Sequence, residues 1–201
     1  MTTDDSDPHA VRAPSNPEAF PPFGVHESER IYDSPWCGLR RDMVVLPNGK
    51  LQEYHVFEVG NAVAVVPILR NGHILLIGQY RYPHGKTHWE VPAGRLETDE
   101  SAELAGVREL REETGHKAQE LIELPGFYPT NGISAHYAHA YLALGCHEVS
   151  GLDLDPAERI IVRSFHPTEV EAMLREGLIE DAFAALTLLH TLHFYSQHLA
   201  S

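Results

Sequence analysis

The chain has 201 residues, 43% of them hydrophobic, which suits one domain with an appendage and a real core but leaves no room for two full domains. Its net charge of -14 offers no basic footprint for nucleic acid or an anionic membrane, and no apolar run is long enough to span a bilayer. Two cysteines, Cys37 and Cys146, stand far apart without paired spacing, which argues against a disulfide framework and fits the cytoplasm.

Residues 1–24 carry Pro8, Pro14, Pro17, Pro21 and Pro22 among Ser, Asp and Asn, and read as a disordered tail without the apolar core of a signal peptide. Met43 to Leu46 and Leu51 to Val59 read as a strand hairpin, because Asn48-Gly49 supplies the positive φ angles of a tight turn. Pro47 marks a strand end. This unit, over about 25–60, precedes a main domain over 61–201. Ala62 to Leu69 and His73 to Gln79 are apolar runs joined by Asn71-Gly72, a second hairpin. Pro83 to Lys86 is then a loop, and Trp89 to Pro92 a short extended piece.

From here the spacing becomes helical. Leu104, Val107, Leu110 and Thr114 form an apolar stripe, Ser101 is the N-cap, and Gly115 falls where a left-handed C-cap belongs. At about 100° per residue, Glu109, Glu112 and Glu113 share the opposite face, and the small Ala105 and Gly106 one turn earlier leave that face open to a ligand. Like charges at this spacing each cost a few tenths of a kcal/mol, and a hard divalent cation would reverse that sign. Taken alone, the three acids are better described as a solvated face on which Arg108 supports Glu112.

Glu120 to Tyr128 and His139 to Leu144 read as strands around the polar loop Pro129 to Ser134, and Arg159 to Phe165 as a strand after the acidic loop Asp153 to Glu158. Thr168 and Glu171 have capping-box spacing for a helix that stops near Gly177. A last helix covers Asp181 to His198, with Ala182, Leu186, Leu189 and Leu192 or His193 facing inward. Strands fill the middle and helices interrupt and close it, an α+β layered pattern. Of the fourteen histidines, His136 with His139 and His190 with His193 stand close in sequence, but no zinc spacing accompanies them. A Gly-x-Ser-x-Gly elbow, a Walker loop and a Gly-x-Gly-x-x-Gly are all absent.

The spacing decides what the helix alone does not. Five residues separate Gly94 from Glu100, seven separate Glu100 from Arg108, and Arg108-Glu-Leu-Arg-Glu-Glu-Thr-Gly115 follows. This resembles the signature of the Nudix hydrolases, with His116 where a bulky aliphatic residue usually stands. Gln79-Tyr-Arg81, Trp89-Glu-Val-Pro-Ala-Gly94 and the loop Tyr128-Pro-Thr-Asn-Gly-Ile-Ser134 are similar to segments of the ADP-ribose and nucleotide-sugar pyrophosphatase branch, although Ala135-His136 stands where many relatives carry an acid. The likeness covers about residues 30 to 198.

The resemblance implies an α/β/α sandwich with a mixed central sheet and an N-terminal antiparallel hairpin or sheet used for dimerisation and base binding. It implies that Glu109 and Glu113 ligate magnesium, or manganese, with the Ala93 carbonyl, while Glu112 ligates another ion or orients the water. Glu100 and Arg108, with Gly94 and Gly115, are read as braces of the motif. Arg81 is a phosphate or substrate contact or a solvated cation, Glu90 contacts substrate or braces the loop, and Gly132 belongs to a substrate loop. A distal base is expected at Glu158, with Asp155 and Asp153 behind it; otherwise the loop is a solvated acidic turn. The activity implied is hydrolysis of ADP-ribose or a related nucleotide sugar by a homodimer, with a GDP-mannose-type substrate or a non-catalytic ADP-ribose sensor as alternatives.

Overall fold

The two apolar runs flanking Asn71-Gly72 form the centre of the molecule, as β4 (Ala62–Leu69) and β5 (Ile74–Arg81). The computed structural model describes residues 16–200, so most of the tail expected over 1–24 lies outside the described residues, and 16–23 carry no regular secondary structure. In β4 every second side chain points to one face, yet the whole strand is apolar because both faces are covered. Val63 and Val65 pack under α1 (Ala102–Thr114), while Ala64, Val66 and Ile68 pack under α2 (Pro167–Arg175) and α3 (Ala182–Phe194). The result is three layers, helix, sheet and helices.

The central sheet is mixed. Strand β10 (Ala138–Glu148) runs parallel to β4, whereas β11 (Ile160–Phe165) is antiparallel to β5, and the order through the sheet is β11-β5-β4-β10-β8, with β8 at His116–Lys117. Strands β6 (Lys86–Glu90), β7 (Ala93–Arg95) and β9 (Glu120–Phe127) pair with β5, β4 and β10 respectively. A separate antiparallel sheet of β1 (Gly24–Asp33), β2 (Gly38–Val45) and β3 (Leu51–Glu58) precedes it. Both expected turns form: Gly49 and Gly72 take φ of 78° and 80°, and the Asn48 and Asn71 side chains accept from the backbone N–H two residues on. Among the described residues no helix is long and apolar enough to cross a membrane.

Several local expectations are corrected. Strand β1 is an addition to the expected hairpin; its residues are exposed throughout, so no alternation of buried and polar residues marks it. Strand β6 begins at Lys86, inside the expected loop. The cap of α2 lies earlier than Thr168: the His166 side chain accepts from Thr168 N–H, and Glu169 accepts from His166 N–H at 2.7 Å. Helix α3 ends at Phe194, followed by a 3₁₀ turn over Ser196–His198. It turns Ala184, Thr187, Leu188 and Thr191 inward and leaves Ala182, Leu186, Leu189 and His193 exposed, a choice the sequence hides because few polar residues mark a wet side.

The largest correction concerns α1. Leu104, 62% exposed, and Val107 face outward, whereas Ala105, Gly106, Glu109, Leu110, Glu113 and Thr114 are buried. Gly106 is small because the helix lies directly on the sheet: a Cβ there would sit 3.4 Å from Val63 and Val65 and 3.5 Å from Tyr141. The small residues admit the sheet rather than a ligand, and Glu109 and Glu113 are carried inward with them.

Candidate active site

The loop that enters α1 is built around Arg108. Its Nε and Nη2 both donate to the Glu100 carboxylate at 2.9 Å, and Nη2 also reaches the Arg95 carbonyl. Its Nη1 donates to Glu109 Oε1 at 2.7 Å and Glu112 Oε2 at 3.0 Å. Glu100 in turn accepts from Glu97 N–H, and the Arg108 guanidinium holds its carboxyl below the usual range. Ser101 caps the helix by accepting from Leu104 N–H. At the far end Gly115 takes φ 72°, and a Cβ there would lie 2.3 Å from the Ser150 carbonyl, so both conformation and contact require glycine.

Two backbone positions bring the helix glutamates close to the preceding strand. A Cβ on Gly94 would lie 1.9 Å from Glu109 Oε1, so the carboxylate rests on bare backbone. Ala93 N–H donates to Glu113 Oε2 at 2.8 Å. Val65 N–H donates to the Pro92 carbonyl and Leu96 N–H to the Asn61 carbonyl, which makes Ala64 and Ala93 a non-hydrogen-bonded pair of the β4–β7 ladder. The Ala93 carbonyl therefore turns away from β4, on the same edge as the N–H that meets Glu113.

Glu109, Glu112, Glu113 and Glu158 line one cleft of about 250 Å³ together with Glu97, Arg108, Asp153 and Asp155. Glu158 comes from the β10–β11 loop, which closes on itself: Asp155 N–H donates to Glu158 Oε2 and Glu158 N–H to the Asp155 carbonyl, both at 2.9 Å. Glu113, only 1% exposed, has its carboxyl pushed up to about 9 by burial, and repulsion from Glu109 and Glu158 adds to this against the Ala93 N–H. Burial also raises Glu109, with Arg108 opposing it. Among the described residues no three ligating side chains already surround one point. The donor set nevertheless fits a hard divalent cation: it is all oxygen, it is partly desolvated, and its mutual repulsion is offset here by one guanidinium bridging Glu109 and Glu112.

A second cleft, of about 640 Å³, opens on the other side of Ala93 and Gly94. Arg81 lines it with its head fixed by Glu90: Nε donates to Oε1 at 2.9 Å and Nη2 to Oε2 at 2.5 Å, and Glu90 is 3% exposed. This bidentate pair, not solvation, sets the direction of the guanidinium. Arg95, Asp181 and Phe183 line the same cleft, as do His84, Lys86, His88 and Glu180, which the sequence reading passed over. The two histidines are four apart across a hairpin end, a signal visible only once β5 and β6 are known to pair. Gly132 is not brought here; it lies in a separate groove with Tyr54, His55 and Tyr128. His136 packs edge-on against Phe183, and His190 and His193 against Phe194.

Comparison with known proteins identifies the family and the fold. Residues 59–185 match the family model described as NUDIX domain, and residues 25–57 match the nucleoside diphosphate sugar hydrolase N-terminal domain. An ADP-ribose pyrophosphatase of Mycobacterium tuberculosis is 32% identical over 169 residues, covering 83% of this chain and 82% of that protein. An ADP-ribose pyrophosphatase of Bacillus subtilis is 36% identical over 115 residues, covering 57% of this chain and 62% of that protein, so the chain matches under two thirds of its length. In three dimensions the chain is similar to a solved structure described as an ADP compounds hydrolase, with a TM-score of 0.79 over 90% of this chain and 98% of that one. At 19% identity this last likeness concerns the fold.

Proposed function

The chain belongs to the Nudix hydrolase family, and from that premise we infer that it hydrolyses ADP-ribose, or a related nucleoside diphosphate sugar, to a nucleoside monophosphate and a sugar phosphate. The observation that carries this reading is the desolvated Glu113 held against Ala93 N–H, with Glu109 seated on Gly94 beside it. Carboxylates buried at such cost are suited to a cation that keeps them ionised. Glu109, Glu113 and the Ala93 carbonyl are the residues that would hold magnesium, with manganese as a substitute, and Glu112 either ligates a further ion or orients water. The metal supplies charge neutralisation on the phosphate oxygens and lowers the pKa of water.

The rest of the reaction falls to the chain's own groups. Glu158 takes the proton from the water that attacks one phosphorus, and the bond from that phosphorus to the bridging oxygen breaks, the oxygen leaving with the other phosphate. Arg81, oriented by Glu90, faces the cleft as the cation for a phosphate or substrate oxygen. Arg108 and Glu100 hold the loop and helix in register. The free cysteines Cys37 and Cys146 are consistent with a cytoplasmic enzyme, and the exposed N-terminal sheet with a homodimer.

A panel of nucleoside diphosphate sugars incubated with magnesium, with the products resolved by chromatography, tests the assignment. AMP and ribose 5-phosphate from ADP-ribose are expected, and excess chelator should stop their release. Failure to cleave any member of the panel, or turnover that persists in chelator, would overturn it.

A further inference from the structure

The cleft beside the carboxylates contains a run of polar contacts that the reaction above does not use. His84 Nδ1 lies 3.0 Å from His88 Nε2, and His88 Nδ1 lies 3.3 Å from Glu180 Oε2, which also accepts from Lys86 Nζ at 2.6 Å. His88 is 7% exposed, while His84 is exposed and lines the cleft. Along β6, Glu90, His88 and Lys86 occupy alternate positions on the face they share with Gln79 and Arg81, each step about 7 Å. The histidine pair thus stands beyond the Arg81–Glu90 pair, away from Ala93.

The tautomers follow from the partners. Lys86 holds the Glu180 carboxyl below its usual range, so Glu180 is ionised, and its negative charge 3.3 Å from His88 Nδ1 favours the proton on that nitrogen. In a neutral pair His88 Nε2 is then bare and takes the proton of His84 Nδ1–H. That leaves His84 Nε2, the nitrogen not engaged by His88, as an acceptor. The other charged groups facing the pair from the cleft walls are Arg81, Glu90, Arg95 and Asp181.

We propose that His84 is a specificity-determining residue, accepting through Nε2 a hydrogen bond from a neutral donor group of the substrate, with His88 and Glu180 as positioning residues that fix its tautomer. The inference rests on the nucleotide-sugar reading of the site. The neutral donors at the two ends of such a substrate, the hydroxyls of the distal sugar and the amine of the base, are the groups in question, not the hydroxyls of the nucleoside ribose between them.

Steady-state kinetics of the full chain and of His84→Ala, with magnesium, on three compounds tests it. These are ADP-ribose, the ADP n-butyl ester, which lacks distal hydroxyls, and IDP-ribose, which lacks the base amine. His84→Ala should raise KM for ADP-ribose about tenfold with kcat nearly unchanged, and should leave one of the other two unaffected, the ester if the partner is the sugar and IDP-ribose if it is the base. Equal losses on all three compounds, or no loss on any, would overturn the inference while leaving hydrolysis in place. A parent inactive on all three would overturn the reading beneath it and the inference together.

Discussion

Glu113 is the residue at which burial and charge conflict most sharply. Its carboxyl is pushed up to about 9 from 4.5, so between those values the folded, metal-free chain holds a proton that the unfolded chain has lost. The stability this carboxyl contributes is fully present below pH 4.5 and is lost as pH rises through about 9. In chelator, therefore, the parent's melting temperature should fall relative to that of Glu113→Gln between pH ~6 and ~9.5. A constant difference across that range would contradict the buried, protonated state. Magnesium should restore the parent at the alkaline end, because it binds the ionised form. Gly94 gives a second test at this scale, since an added Cβ would land 1.9 Å from Glu109 Oε1. Gly94→Ala is expected to weaken magnesium binding at least tenfold by calorimetry. Gly132→Ala, with nothing within 4 Å of the added atom, should leave it unchanged.

At the scale of elements, the site is the meeting of α1 with the β10–β11 loop. The helix arrives with its glutamates fixed by Arg108, Ala93 N–H and Gly94, whereas Glu158 is held by the short closure of its own loop on Asp155. A general base is worth about 10² to 10⁴ in rate, and a solvated acid almost nothing. Glu158→Gln is thus expected to lower kcat at least a hundredfold with KM and melting temperature nearly unchanged. Turnover within about twofold of the parent would move the base to the helix glutamates, Glu112 first.

For the molecule as a whole, the N-terminal sheet poses the question of assembly. Strand β1 is exposed along its length, and Val25, Ile31, Tyr32, Tyr54 and Phe57 of this sheet all remain accessible. An uncovered edge and apolar side chains of this kind favour pairing with a second copy. Light scattering at micromolar concentration should return the mass of a dimer, and a monomer there would refute it. The sequence alone determined the parts whose cause is local or whose spacing is rigid: the Asn-Gly turns, the cap and C-cap of α1, the apolar run of β4, and the spacing from Gly94 to Gly115 that marks the family. The tertiary structure decided what local periodicity leaves degenerate. Which face of α1 and α3 turns inward depends on how closely a helix can approach the sheet, so Gly106 and Ala105 outweighed Leu104 and Val107. The existence of β1, the separation of Gly132 from the cleft and the meeting of His88 with Glu180 likewise depend on strand pairing and long-range packing, which bring together residues that no sequence interval relates.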